Sequence, residues 1–147
     1  MKSLLRQGLA GCSALLAIVF FSCLALADEL DSIPIDPQAT VLCAEQTVVA
    51  PANGAVGSPV SVTSRAFVSI DFAVQPGKQV TLVVLSSAQK QQMDAGQPIE
   101  GRPRVRAPID GVASQSITVD PGEYYVAILN ADAQPVSITY RVSARAF

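Results

Sequence analysis

A period of two in the placement of apolar side chains is the feature that most limits how this chain can fold. Ala66, Val68, Ile70, Phe72 and Val74 alternate with Phe67, Ser69, Asp71 and Ala73. Near the C-terminus Val136, Ile138, Tyr140 and Val142 alternate with Ser137, Thr139, Arg141 and Ser143. Side chains two apart share one face of a strand, so each run predicts a strand with one buried face. Between them, Pro76-Gly77 and Asp120-Pro121-Gly122-Glu123 supply turns in which Pro presets φ and Gly accepts the left-handed region. Val80, Leu82 and Val84 resume the alternation, Ile117 and Val119 mark a further strand, and Thr47–Ala50 and Pro59–Thr63 are shorter candidates flanking Asn53-Gly54. Tyr124–Leu129 is almost continuously apolar, as in a strand covered on both faces.

About seven or eight short strands separated by turn signals predict an all-β fold, an antiparallel, jelly-roll-like β-sandwich. One stretch departs from the rhythm. Ser86 followed by Gln89 resembles a capping box, and residues 87–95 predict a short helix that Gly96 ends.

The first 27 residues read as an export signal rather than fold. Lys2 and Arg6 precede an uncharged run from Gln7 to Ala27 that closes on Ala25-Leu26-Ala27, so an N-terminal signal helix is expected, cleaved after Ala27. A lipid anchor at Cys23 is the alternative. The domain plan is therefore a signal peptide over 1–27, an acidic extended leader over 28–39, and the sandwich over 40–147. Asp28, Glu29, Asp31 and Asp36 with Pro34 and Pro37 suit a solvated leader. The expected location is the periplasm or the exterior, with no membrane span in the mature chain. Of three cysteines only Cys43 would remain, which leaves no second thiol for an intramolecular disulfide.

Composition removes several chemistries. The chain has no histidine and no tryptophan. Ser-His-Asp and Cys-His nucleophile systems and His-ligated zinc are thereby excluded. Past Ala27, eight basic residues against twelve acidic ones leave a balance of −4, which argues against a nucleic-acid partner. Ser87-Ala88-Gln89-Lys90 matches the Ser-x-x-Lys string of serine acyl-enzymes, a remote reading for Ser87, because the companion Lys-Thr-Gly motif is missing. Asp110, Asp120, Glu123 and Asp132 fall at turns without a calcium-loop spacing. No catalytic residue, cofactor or metal is expected.

The one conspicuous charge pattern is Arg102, Arg104 and Arg106. In an extended segment these guanidinium groups share a face about 7 Å apart, a row suited to gripping anions bidentately. The opposing reading is a sheet edge kept soluble by charge.

The closing third, Ile117-Thr-Val-Asp-Pro-Gly-Glu-Tyr-Tyr-Val-Ala-Ile-Leu-Asn130 followed by Pro135-Val-Ser-Ile-Thr-Tyr-Arg-Val142, resembles the last strands of pre-peptidase C-terminal and GOLD-type domains. The resemblance implies a small extracytoplasmic sandwich that binds proteins, glycans or matrix and carries no catalytic residues. Together these readings predict an exported binding or assembly module for a protein partner in the cell envelope. The alternative ligand is an anionic glycan or envelope lipid.

Overall fold

A computed structural model describes residues 29–147. The expected signal segment, its cleavage point and Cys23 lie outside the described residues. Eight strands and one helix follow in order: β1 (Thr40–Ala50), β2 (Gly54–Val62), β3 (Ala66–Val74), β4 (Gln79–Ser86), α1 (Ser87–Asp94), β5 (Val105–Asp110), β6 (Val112–Val119), β7 (Gly122–Asn130) and β8 (Val136–Ala146). They form two four-stranded sheets, β1-β8-β3-β6 (sheet I) and β2-β7-β4-β5 (sheet II). Every pairing is antiparallel. The chain changes sheet at nearly every connection, and the eight strands form a jelly-roll sandwich.

The alternation read from the sequence places the core. Val68, Ile70 and Phe72 of β3 and Ile138, Tyr140 and Val142 of β8 face Leu82 and Val84 of β4 and Val126 and Ile128 of β7 across the two sheets. Each such side chain contributes about 1.5–3 kcal/mol through removal from water. A second cluster forms outside sheet II, where α1 covers Val83, Leu85 and Ala127. The helix starts as its sequence predicts: Ser86 Oγ accepts from Gln89 N–H and Gln89 Oε1 accepts from Ser86 N–H. Gly96 follows at φ 68°.

Three expectations change. β1 and β2 are longer than the short runs Thr47–Ala50 and Pro59–Thr63. Two register shifts in β1 break its period of two, and Gly54, Gly57 and Ser58 mute the period in β2. The leader is not wholly solvated. Glu29 and Asp31 are exposed, but Leu30 is fully buried against Ala73, with Ile33 beside it. The outer face of β3 and β8 is correspondingly not all polar surface: Asp71 and Arg141 are buried there. Arg141 Nε donates to Asp71 Oδ2 at 2.8 Å, and its Nη2 donates to the Ile33 carbonyl of the leader.

At the other flank, the Gln46 amide donates to Ser58 Oγ and Tyr140 Oη, both at 2.8 Å, linking the edges of the two sheets. Burial raises the Tyr140 phenol above its usual value. Cys43 is half-buried against the core, and its Sγ accepts from the Gln46 amide at 3.3 Å.

Candidate functional site

The arginine row sits at one end of sheet II, where β5 is the edge strand. Val105, Ala107 and Ile109 turn inward, so Arg104 and Arg106 project from the outer face, together with Pro108 and Asp110. Arg104 is held at the strand entrance by its N–H, which donates to the Val84 carbonyl at 2.9 Å. Arg102 precedes the strand. Gly101, at φ 77°, turns the chain there, so the three arginines are neighbours in an exposed edge segment and not a straight row. Helix α1 fixes this segment. Gln89 Nε2 donates to the Glu100 and Arg102 carbonyls at 3.1 and 3.2 Å, and Gln92 Oε1 accepts from Glu100 N–H. The segment is therefore anchored through its backbone, leaving its three charged side chains exposed.

Charge pairing separates these arginines from the rest. Arg65 pairs with Asp120, Lys78 with Asp132, Lys90 with Asp94, Arg141 with Asp71 and Glu45, and Arg145 with Asp36. Among the described residues, Arg102, Arg104 and Arg106 are the basic side chains left without an ion pair. Their spacing was visible in the sequence. Their lack of partners was not, because Arg141 and Arg145 also alternate in an extended run and yet are paired.

The other candidate groups have structural partners. Lys90 Nζ contacts Asp94 and lies 4.4 Å from the Tyr125 ring centroid, and no hydrogen bond joins it to Ser87 among the described residues. The acids at the turns are dispersed: Asp120 meets Arg65, Glu123 accepts from Ser61 Oγ at 2.6 Å, and Asp110 closes β5. Tyr124 Oη donates to the Asp120 carbonyl at 2.8 Å, which fixes the turn into β7. The loop after β7 is tied down by Asn130, whose side chain is buried.

Sequence reasoning missed a second feature, on the outer face of sheet I. Phe67 and Phe147 pack with ring centroids 4.1 Å apart, Arg65 lies 5.3 Å over the Phe147 ring, and both rings remain exposed. A groove of about 360 Å³ runs beside them between the leader and β6, bounded by Asp36, Ser69, Ser116 and Arg145. The signal would have been Phe67 itself, a large apolar residue at a position the alternation assigns to solvent.

Asp132, in the β7–β8 loop, has its carboxyl held below the ordinary value. The Gln134 N–H donates to it first, and the Lys78 ammonium adds to the effect. A depressed folded-state pKa contributes stability above the unfolded value and loses it as pH falls through the folded one. The stability gap between the wild type and Asp132→Asn is therefore expected at neutral pH and should close below about pH 4. Thermal melts of both proteins across pH 2–7 check this, and a gap that persists at the acid end removes the titration as its cause.

No family model matches the chain, and no curated relative does. Solved structures do. The pre-peptidase C-terminal domain of a collagenase from Bacillus anthracis is similar at TM-score 0.54 and 14% identity, over 69% of this chain and 89% of that one. The periplasmic inhibitor of g-type lysozyme from Aeromonas hydrophila, PliG, is similar at TM-score 0.52 and 13% identity, over 77% and 93%. The likeness read from residues 117–142 thus holds at the level of the fold. Among the described residues no helix is long and apolar enough to cross a membrane.

Proposed function

We propose that this is an exported, non-catalytic binding module that captures a carboxylate-rich surface of a protein partner in the cell envelope through Arg102, Arg104 and Arg106. The observation that carries the proposal is their lack of acidic partners in a chain where every other described basic side chain has one. Guanidinium groups are weakly hydrated, planar donors suited to gripping carboxylates two bonds at a time. An edge segment anchored through its backbone by Gln89 and Gln92 presents them with little ordering cost. The shared fold adds support, since one similar protein is an inhibitor that acts on another protein in the periplasm.

Mild cross-linking of the tagged protein at native level, followed by mass spectrometry, tests the reading. One dominant captured protein is expected. Replacing all three arginines with Ser should lower capture by about tenfold or more while the melting temperature stays unchanged, because exposed unpaired charges contribute little to folding. Undiminished capture by the triple variant eliminates the row. Salt-sensitive retention on polyanions, with no protein captured, would instead identify an anionic glycan or envelope lipid as the ligand.

A further inference from the structure

Each sheet has two edge strands, and three of the four are guarded against pairing. β1 carries two register shifts and Glu45, β2 carries Pro59, and β5 carries Pro108 beside Arg104 and Arg106. Bulges, prolines and charges are the usual devices that keep an edge from taking another strand. β6 has none of them. Val112–Val119 contains no charge, proline or glycine, pairs with β3 without a register shift, and is the outer strand of sheet I.

The bonding pattern shows which groups β6 leaves open. Val74 N–H donates to the Gly111 carbonyl, and Ala73 lies opposite Val112. In an antiparallel ladder bonded and non-bonded pairs alternate, so residues 113, 115, 117 and 119 bond to β3. The N–H and C=O groups of Val112, Ser114, Ser116 and Thr118 then point away from the sheet, with no strand beyond them among the described residues.

We infer that β6 pairs antiparallel with β6 of a second copy about a two-fold axis, joining the two copies of sheet I into one continuous sheet. In the register centred on Gln115, Val112 of one copy lies opposite Thr118 of the other, and Ser114 opposite Ser116. About eight backbone hydrogen bonds form, since each open residue offers one donor and one acceptor. No like charges meet along the strand. The exposed apolar side chains make the case for a copy of this chain over an unrelated strand. Val112 is 40% exposed at one end of β6, while Phe67 (43%) and Phe147 (69%) lie at the other, where Phe67 is opposite Thr118. Antiparallel self-pairing brings each Val112 to the Phe67–Phe147 end of its neighbour, and the two-fold does so twice. Gly111 joins β5 to β6 at one edge of the sandwich, but the arginines of β5 point from the outer face of sheet II while this contact uses the β6 backbone of sheet I.

Sedimentation equilibrium of the exported protein tests the inference. Wild type should be a dimer that dissociates on dilution. Ser116→Lys places two like charges near the axis and should raise the dissociation constant by about tenfold or more. Ser116→Pro removes an outward N–H and should act in the same direction. Ser116 is exposed and its backbone faces away from β3, so both variants should fold and melt at the temperature of dilute, monomeric wild type. Should the proline variant fail to fold, the lysine variant decides. Arg104→Ser should leave the dimer intact. A wild type that stays monomeric up to its solubility limit overturns the inference, as does a dimer indifferent to Ser116→Lys or abolished by Arg104→Ser.

Discussion

Asp71→Ala is expected to cost about 3–5 kcal/mol of folding stability, the range for breaking a buried ion pair from one side. Both members are almost fully buried on the outer face of sheet I, Asp71 on β3 and Arg141 directly opposite on β8. Removing the carboxylate leaves the guanidinium under the leader with the Ile33 carbonyl and the more distant Glu45, at 3.8 Å, as its remaining partners. Ser114 and Ser69, whose hydroxyls both donate to Asp71 Oδ1, lose an acceptor as well. Denaturant titration measures the effect, and a loss below about 1 kcal/mol would mean that water reaches the pair as it reaches a surface bridge. The double variant Asp71→Leu with Arg141→Met should recover most of the loss, because a packed apolar pair avoids the cost of desolvating two charges.

This pair also marks how far local sequence reaches. The alternation in β3 and β8 tells which side chains share a face, and the inward set is indeed the core. It does not tell what covers the outward set. Asp71, Ala73, Arg141 and Ser143 occupy equivalent outward positions, yet the first three are buried because Leu30 and the Ile33 carbonyl come back over them from a segment whose acids and prolines suggest solvent. The helix was legible because both partners of its capping box lie within four residues. The arginine segment was legible as a spacing alone. That Arg104 and Arg106 lie free on an edge while Arg141 is sealed depends on strand order, which no local pattern contains. The exposed edge of β6 is hidden for the same reason.

The second large effect falls on Asn130, at the head of the polar loop between β7 and β8. It is 2% exposed at the end of β7. Its Nδ2 donates to the carbonyls of Ala50, Pro51 and Gln134 at 3.2, 3.1 and 2.9 Å, and its Oδ1 accepts from Asp132 N–H at 2.9 Å. One amide thus joins the end of β1, the turn into β2 and the loop before β8, where both sheets must close. Asn130→Ala should destabilise by about 3 kcal/mol, since the buried amide's bonds to the Ala50 and Gln134 carbonyls and to Asp132 N–H are lost together, while the Pro51 carbonyl keeps Gly54 N–H. Asn130→Asp should be at least as damaging at neutral pH. It keeps the acceptor for Asp132 N–H but turns a carboxylate oxygen toward three carbonyl oxygens. Protonation relieves that repulsion, so the stability of the Asp variant, measured against the Ala variant, should improve as the pH falls. An Asp variant as stable as wild type at neutral pH would show that the amide donor does not hold the corner, and the junction would then rest on backbone pairing alone.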